Sequence, residues 1–206
     1  MRAAWIEEAG TPDKLILGDV PEPAAGPGEL RLEVRAAGIG PWDLKKMAGR
    51  MGNLRLPFRI GYEFAGVVDQ VGQGVTDFAV GDEIYGTDRR AGSFAEYRIC
   101  APSDTARKPA GMTFEEAVAL PVAGTTSLEG LVERLGLTKG ETVVITAASG
   151  GVGTIAVQLA HSLGARVVAV ASAANHDYVR ALGADDVVDY HHDDWPTRVR
   201  VAVPGG

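Results

Sequence analysis

A glycine-rich stretch, "ITAASGGVGTIAVQLA" at residues 145–160, is the part of the sequence best suited to chemistry. Gly150 allows the backbone to approach a pyrophosphate closely, and Gly153 allows the following helix to pack near the preceding strand. The free N–H groups at the start of that helix would then point at the phosphates. Ala148 replaces the first glycine of the usual G-x-G-x-x-G pattern, which alters the tight turn. A G-x-x-G also fits a turn that only packs a helix onto a sheet, but the strand–loop–helix–strand context favours dinucleotide binding.

The segment after the next predicted strand indicates which dinucleotide would bind. NAD sites usually carry Asp or Glu about 20 residues after the glycine loop, where the carboxylate accepts hydrogen bonds from the ribose hydroxyls. This chain has "ASAAN" from Ala171 to Asn175, with no carboxylate to repel a 2′-phosphate, and Ser172 could donate a hydrogen bond to one. NADPH is therefore favoured, although no Lys or Arg lies beside Ser172 and Arg180 is more typical of a solvated helix residue.

Alternating strand and helix patterns must position these residues in the second half of the chain. A helix is predicted from Thr126 to Leu135 and is closed by Gly136. The strand patterns are "ETVVITAAS", "ARVVAVAS" and "DVVDY", and helices join them at "GVGTIAVQLAHSLGA" and "NHDYVRALG". Asn175 is expected to cap the second of these helices. Strand–helix–strand–helix–strand order predicts right-handed crossovers and a parallel sheet.

The first half of the chain has the pattern of an all-β domain. "ELRLEVRAAGI" alternates apolar and charged residues, which is the period of a half-buried strand. Glycines separate further strand patterns in "FAGVVDQVGQGVTDFAVGDEIYG", as expected of turns or bulges in a small barrel. One short helix is predicted at "WDLKKMAG".

Composition excludes several classes of protein. The chain has 206 residues, of which 46% are hydrophobic and 23% charged, as in a globular protein with a sizeable core. A net charge of −7 argues against nucleic acid and against an anionic membrane, because either partner favours a basic patch. No apolar run is long enough to cross a bilayer. Cys100 is the only cysteine, so no internal disulfide can form, and the cytoplasm is the expected location.

Five segments in this order resemble the medium-chain dehydrogenase/reductases: "EYRIC", "PAGMTFEEAVALPVAGTTSLEGL", "GETVVITAASGGVG", "QLAHSLGARVVAVAS" and "ALGADDVVDY". Within that family the chain is similar to the zinc-independent quinone oxidoreductase (zeta-crystallin-like) branch. The resemblance implies an α/β plus all-β fold. Residues 1–123 would form a GroES-like barrel that binds substrate, and residues 124–206 a partial Rossmann domain, with the active site in the cleft between them.

The resemblance also explains "RIGYEFAG", Arg59–Gly66, a segment that lacks a histidine. Zinc-dependent relatives have a cysteine in the preceding loop and a histidine in a G-H-E segment. This chain has Gly40 at the cysteine position and Tyr62 at the histidine position, and only Glu63 remains. Because catalytic zinc needs about three protein ligands, the resemblance implies that no metal is bound. The adjacent His191 and His192 are expected to be solvated loop residues.

The implied activity is NADPH-dependent reduction of quinones or α,β-unsaturated carbonyl compounds, which are small-molecule substrates. Without a metal a simple ketone is hard to polarise, whereas conjugation in a quinone or enone spreads the charge that follows hydride addition. Two alternatives remain open. The chain could be a truncated nucleotide-binding module without catalysis, or a relative of the zinc-type alcohol dehydrogenases.

Individual roles carry over from the family at a limited number of positions. Tyr62 could donate a hydrogen bond to the substrate carbonyl, or could be a core tyrosine. Thr126 could face nicotinamide, cap a helix, or do both. Asp43 matches a family aspartate and could cap a helix, while Trp42, Met47 and Phe94 fit the barrel core better than a pocket. The residues expected to bind the cofactor are Thr126, Ser149, Gly150, Gly151, Val152, Gly153, Ser172 and Tyr190.

A complete Rossmann domain has six strands, and three strand patterns are present here. We therefore expect a C-terminal truncation of about a hundred residues relative to the complete fold. On this interpretation the first strand of the parallel sheet would be a bare edge. The sequence itself leaves the oligomeric state open; relatives commonly pair through strands of the nucleotide domain that are missing here, so the resemblance implies a homodimer only for a complete protein.

Overall fold

A computed structural model describes residues 1–203 of the chain. The chain divides into two units, Met1–Pro121 and Val122–Gly206. Antiparallel strands dominate the first unit, and the second alternates strands with helices. The expected fold class, α/β plus all-β, is therefore confirmed, while the boundary at residues 123 and 124 and the roles of the two domains stay predictions.

Eight strands in the first unit form two antiparallel sheets. The three-stranded sheet has the order β2-β1-β4, with β1 at Arg2–Ile6, β2 at Ile16–Asp19 and β4 at Phe58–Arg59. The five-stranded sheet has the order β7-β3-β5-β6-β8, with β3 at Leu30–Gly38, β5 at Glu63–Val71, β6 at Glu83–Thr87, β7 at Tyr97–Cys100 and β8 at Thr105–Arg107. Its edge strands β7 and β8 are not hydrogen-bonded to each other, so within residues 1–203 the expected barrel is an open sheet.

The alternation predicted for β3 is confirmed where the strand crosses the core. Leu30 and Leu32 are fully buried, whereas Arg31 and Glu33 between them are partly exposed. Two register shifts between β3 and β5 mark bulges, which bend the sheet. Gly66 lies opposite one of them, and a Cβ there would be 2.1 Å from the carbonyl oxygen of Glu33.

The first unit has two helices, of which one was expected. Helix α1, Pro41–Met47, begins with a proline in its first turn, where proline is favoured. Helix α2, Phe114–Val118, was missed by the sequence-based prediction. Its capping box joins Thr113 and Glu116, and the T-x-x-E spacing is a recognisable start signal.

The second unit has the predicted parallel sheet. Its order is β11-β10-β9, with β9 at Thr142–Ile145, β10 at Arg166–Val170 and β11 at Asp186–Val188, so β9 is an edge as expected. Helix α4, Gly151–Ser162, and helix α5, His176–Ala181, connect the strands. Val157, Val167 and Val179 are fully buried between helices and sheet. Helix α6, Trp195–Ala202, follows β11 and was not predicted.

One predicted helix start is wrong, and one predicted helix cap makes no capping hydrogen bond. Helix α3 spans Pro121–Leu128 and continues as a π-helical segment, Glu129–Arg134, so it begins five residues before Thr126. A proline at the first helical position is already close to helical geometry and starts the helix rather than preceding it. Helix α5 does begin after Asn175, but the Asn175 side chain makes no capping hydrogen bond. Within residues 1–203, no helix has the length and apolarity to cross a membrane.

Candidate functional site

The glycine loop joins β9 to α4 in a conformation that leaves the helix start open. Gly150 occupies the position before the first helical residue, Gly151, and is extended with φ −83° and ψ 173°. The N–H groups of a first helical turn have no partners within the helix and attract anions. A Cβ at Gly153 would be 2.2 Å from the carbonyl oxygen of Ala147 and 2.7 Å from the Cα of Ala148. Gly153 therefore allows the close helix–loop packing that its position predicts.

The residue with a positive φ lies one position before the site of the usual first glycine. Ala147 has a φ of +50°, in the left-handed region that favours glycine. Ala148 is fully buried, and its N–H donates to the carbonyl oxygen of Val170 at 3.1 Å. This bond fixes the loop against the carboxyl end of β10, so the tight turn is retained with alanine at both positions.

A cavity of about 430 Å³ lies at the carboxyl ends of β9 and β10. Its lining comprises Thr146, Ala147, Ser149, Gly150, Val170, Ala171, Tyr190 and Trp195. These side chains, all in the described part of the chain, are uncharged. Ser149, Gly150 and Tyr190, which were predicted to bind the cofactor, are thus brought together. Trp195 was missed, because an aromatic residue at the start of a short helix has no distinguishing sequence signal.

Ser172 is connected to this loop through Asn175. The amide nitrogen of Asn175 is 3.1 Å from the Oγ of Ser149 and 3.1 Å from the Oγ of Ser172. All three side chains are half-buried. Two predicted cofactor residues from different loops therefore share one hydrogen-bond donor, and the donor is a residue that was expected only to cap a helix.

Thr126 lies within α3, where its side chain is exposed. The expectation that it caps the helix is wrong, because the helix already begins at Pro121. Its neighbour Ser127 is 2% exposed and donates to the carbonyl oxygens of Ala123 at 2.8 Å and Val152 at 3.2 Å. Ser127 thus connects α3 to the first turn of α4. Its sequence signal was only that of a serine inside a helix.

In the first unit, Asp43 connects the loop before α1 to the loop before β5. One carboxylate oxygen accepts from the N–H of Gly40 at 2.8 Å, and the other accepts from the N–H of Gly61 at 3.2 Å. Asp43 is 1% exposed, and burial raises the pKa of its carboxyl group although these two hydrogen bonds oppose the rise. The predicted capping role is confirmed, and the same residue also positions the segment that contains Tyr62.

Tyr62 is half-buried rather than part of the core. Its ring centroid is 6.4 Å from that of Phe58, at an interplanar angle of 44°. Burial raises the pKa of the Tyr62 phenol, and the negative charge of Asp43 raises it further. The phenol is therefore protonated near neutral pH and can donate a hydrogen bond.

Gly40 lies under the indole ring of Trp42. A Cβ at residue 40 would be 2.1 Å from both Cε2 and Cζ2 of that ring, so no side chain fits there while the indole stays in place. The Nε1 of Trp42 is buried and has no hydrogen-bond partner among residues 1–203. Met47 is buried with Ile6 and Ile60, and Phe94 packs against that cluster, as expected of core residues.

A buried ion pair supports the loop on which Tyr62 lies, and nothing in the sequence predicted it. Arg98 donates to Asp88 at 2.5 Å and to the Oγ of Ser93 at 2.5 Å, and both charged side chains are 2% exposed. The backbone N–H of Asp88 donates to the carbonyl oxygen of Tyr62 at 3.4 Å, and that of Ser93 donates to Gly61 at 3.0 Å. The pair thus fixes the backbone on both sides of the tyrosine.

The residues at the metal-ligand positions are poor ligands. Gly40 offers no side chain, and Tyr62 replaces the histidine. Glu63 is 5% exposed, and its side chain packs against Gly38. Across the described residues, no three His, Cys, Asp or Glu side chains are grouped so that they could hold a metal ion.

Two family descriptions match the chain. Residues 26–129 match "Alcohol dehydrogenase GroES-like domain", and residues 151–206 match "Zinc-binding dehydrogenase". A spectinabilin polyketide synthase system protein, NorB of Streptomyces orinoci, is 44% identical over 184 residues, which are 86% of this chain and 8% of that protein. The 2-methylene-furan-3-one reductase of Solanum lycopersicum is 35% identical over 203 residues, which are 92% of this chain and 52% of that protein. The chain thus spans about half of the reductase and far less of the synthase protein.

Solved structures share the fold along the whole chain. An NAD-dependent alcohol dehydrogenase superposes with a TM-score of 0.94 and is 35% identical, over 100% of this chain and 68% of that one. Escherichia coli quinone oxidoreductase complexed with NADPH superposes with a TM-score of 0.89 and is 27% identical, over 100% of this chain and 63% of that one. Together with the glycine loop and the parallel sheet, these matches show that the chain belongs to the medium-chain dehydrogenase/reductase family and is quinone oxidoreductase-like.

Proposed function

We propose that this chain belongs to an NADPH-dependent oxidoreductase that reduces quinones or α,β-unsaturated carbonyl compounds by hydride transfer without zinc. The observation that carries the proposal is the glycine loop, because α4 begins there beside an uncharged cavity at the carboxyl ends of two parallel strands. In open parallel sheets, ligands bind in the crevice outside those strand ends. A bound nicotinamide cofactor would supply the hydride.

The cofactor site is proposed from the loop and the residues that follow β10. Ser149, Gly150 and Tyr190 line the cavity, and Ser172 is connected to Ser149 through a shared hydrogen-bond donor. We assign nucleotide binding to these residues together with Thr126, Gly151, Val152 and Gly153. Since "ASAAN" has no carboxylate to repel a 2′-phosphate, NADPH is favoured over NADH. The structural neighbour complexed with NADPH supports this preference.

Zinc independence is proposed from the chemistry of Gly40 and Tyr62. Neither residue supplies the thiolate or imidazole ligand that the zinc enzymes use, and the indole of Trp42 covers Gly40. The loops nevertheless keep their connection through Asp43. The backbone of the metal site is therefore retained, but its side chains are unsuited to binding a zinc ion that would act as a Lewis acid.

Tyr62 is the residue that we assign to the substrate. Its protonated phenol would donate a hydrogen bond to the carbonyl oxygen of a quinone or enone, where negative charge develops after hydride addition. We expect Tyr62→Phe to lower kcat by about tenfold or more, as for loss of one oxyanion donor. The dissociation constant for NADPH should change little, since every residue that lines the cavity beside the glycine loop belongs to the second unit and Tyr62 belongs to the first.

A second candidate is reduction of an enoyl thioester. The specific observation in its favour is 44% identity to a polyketide synthase system protein. A CurK enoyl reductase also superposes with a TM-score of 0.89 at 27% identity. An enoyl thioester is itself an α,β-unsaturated carbonyl compound, so the site chemistry proposed above would serve it unchanged.

Steady-state oxidation of NADPH tests these proposals. A quinone, a simple enone and a crotonyl thioester should be compared as acceptors, with NADH in parallel and with zinc content measured in the same sample. Turnover with NADPH that survives a chelator supports the proposal, and the preferred acceptor separates the two candidates. Nucleotide binding without turnover of any acceptor would support a non-catalytic module, and stoichiometric zinc would revive the zinc-type alcohol dehydrogenase. A small-molecule substrate, a cytoplasmic location and a homodimer stay predictions.

A further inference from the structure

One amide nitrogen joins the two loops that surround the proposed nucleotide site. Ser149 lies in the loop after β9, and Ser172 follows β10. The Nδ2 of Asn175 donates to both hydroxyl oxygens at 3.1 Å. The backbone N–H of Asn175 also donates to the carbonyl oxygen of Ser172 at 2.9 Å, which fixes the turn and therefore the direction of the side chain.

This arrangement decides how the two serine hydroxyls can bind a ligand. A hydroxyl has one proton to donate and lone pairs to accept, whereas an amide nitrogen can only donate. Because each serine oxygen accepts from Asn175, its own proton remains available for an acceptor on a ligand. Phosphate oxygens are acceptors without protons to give near neutral pH, so they suit two such donors.

The residues that line the cavity are uncharged, so the neutral serine donors matter more here than they would beside a cationic side chain. No Lys or Arg is among the residues that line the cavity, so charge alone does not select a phosphate there. Ser149 lies beside the open start of α4, and Ser172 lies where a ribose would meet the end of β10. Ser172 directly follows Ala171, which lines the cavity, so a proton or a lone pair presented by its hydroxyl would discriminate between a ribose 2′-phosphate and a ribose hydroxyl.

We propose that Asn175 is a positioning residue that sets nucleotide specificity: it holds the hydroxyls of Ser149 and Ser172 as donors and so selects nucleotides with a ribose 2′-phosphate. This inference rests on the proposed nucleotide site. Replacement by aspartate should reverse the arrangement, because a carboxylate accepts both serine protons and adds a negative charge. Aspartate and asparagine have side chains of the same size and shape. The substitution therefore stops the serine hydroxyls from acting as donors to a ligand without changing side-chain volume.

The experiment compares 2′,5′-ADP with 5′-AMP, which differ only in the 2′-phosphate, by calorimetric titration of the full chain. For the unaltered chain we expect 2′,5′-ADP to bind at least about tenfold more tightly, the worth of one charge-assisted hydrogen bond. Asn175→Asp should reduce that ratio by about tenfold or more. Ala174→Asp is the matched control, since it adds the same charge at the adjacent exposed residue and leaves the amide of Asn175 in place.

A double-mutant cycle separates positioning from a general structural role. If Asn175 acts through Ser172, Asn175→Ala and Ser172→Ala should each lower the ratio, and the double variant should lower it no further than either single variant. Circular dichroism and urea unfolding of each variant identify any that fail to fold, in which case Asn175→Ser serves as the smaller change.

The outcomes are distinguishable. A preference for 2′,5′-ADP that Asn175→Asp abolishes and Ala174→Asp preserves supports the inference. A preference that Asn175→Asp leaves intact, or additive effects in the cycle, overturns the role of Asn175 while the proposed NADPH site stands. If the unaltered chain binds both ligands equally or neither, the proposed NADPH preference and the role of Asn175 both fail.

Discussion

At Gly40 the backbone runs directly beneath the indole of Trp42, and a Cβ would be 2.1 Å from two ring carbons. The absence of a cysteine here is therefore tied to the residue two positions later. Restoring a cysteine at residue 40 would displace the indole, and such overpacking typically costs about 1–3 kcal/mol. The position of the Trp42 indole is thus compatible with glycine at residue 40 and not with a cysteine ligand.

We expect the double variant Gly40→Cys, Tyr62→His to bind far less than one zinc per chain and to be less stable than the parent. Zinc content after dialysis, measured by mass spectrometry, and urea unfolding check both statements. Gly130→Ala is the stability control, since a Cβ there meets nothing within 4 Å. Adding Trp42→Ala to the double variant should raise its zinc content. Stoichiometric zinc with Trp42 intact would show that the indole is no obstacle.

Asp43 gives a pH dependence whose sign is opposite to that of most ion-paired or hydrogen-bonded carboxylates. Its folded pKa lies above the usual value near 3.8, because burial outweighs the hydrogen bonds from Gly40 and Gly61. The folded state therefore binds the proton more tightly than the unfolded state does. The stability contributed by Asp43 is fully present below the unfolded pKa and is lost as pH rises through the raised folded pKa.

We expect Asp43→Asn to be destabilising by about 1–3 kcal/mol, because an amide nitrogen would face one of two backbone donors. The difference from the parent should be largest at pH 3 to 4 and should shrink as pH rises above the unfolded value. Urea unfolding of both chains from pH 3 to 7 measures it. A difference that grows with pH would mean that the folded pKa is lowered instead.

At the scale of elements, the pair Arg98–Asp88 connects β7 to the loop after β6 and supports the backbone of Gly61 and Tyr62. Its guanidinium carbon also lies 3.8 Å from the ring centroid of Phe64. Since both charges are almost fully buried, removing one leaves the other without compensation. The loop that presents Tyr62 therefore depends on two residues outside it.

We expect Asp88→Asn to lower the free energy of unfolding by about 3–5 kcal/mol, as for other broken buried pairs. Glu129→Gln breaks the pair between Glu129 and Arg134, whose side chains are mostly exposed, and should change stability by less than about 1 kcal/mol. Guanidinium unfolding at neutral pH compares the two variants. Equal effects would show that burial of Arg98 and Asp88 does not determine the strength of their pair.

Local patterns predicted the elements of the second unit well, because strand–loop–helix periodicity is a short-range property. The order from β9 to β11 and the placement of Ser149, Gly150 and Tyr190 around one cavity follow from it. The start of α3 was placed at Thr126 because Pro121 was not recognised as a start signal, although proline is favoured at a first helical position.

Pairings between distant residues could not be predicted. Asp43 and Gly61 are 18 residues apart and meet only because the first unit folds back on itself. Arg98 and Asp88 are 10 residues apart, and no local pattern predicts that they pair. Asn175 stands at a helix start, where its side-chain oxygen was expected to accept a capping hydrogen bond, but its amide nitrogen instead donates to two serine hydroxyls, one of them 26 residues away. Side-chain partners of this kind depend on the tertiary fold.

For the whole molecule, the single thiol reports on the state of the first unit. Cys100 is fully buried among Leu30, Phe64 and Ile84, and burial raises the pKa of its thiol to about 12. The thiolate is the reactive form, so the folded chain should be inert toward thiol reagents at pH 8.

We expect less than stoichiometric labelling of Cys100 by a disulfide reagent over hours in native buffer, and complete labelling in minutes in denaturing urea. Absorbance of the released thiolate measures both rates, and glutathione at the same pH is the control for an exposed thiol. At intermediate urea the labelling rate should follow the fraction of molecules in which the first unit is open. Rapid stoichiometric labelling without urea would contradict the burial of Cys100.

Strand β9 forms an edge of the parallel sheet, and Val144 on it is 40% exposed. An open edge with an apolar side chain is a template on which a second copy can add a strand. At neutral pH a net charge of −7 keeps copies apart. That repulsion disappears as the pH of the solution approaches the pI near 5.1, because the net charge falls to zero there. The unpaired backbone groups of β9 do not depend on pH in this range. Charge repulsion between copies therefore depends on buffer pH, and association through this edge is expected to be strongest near pH 5.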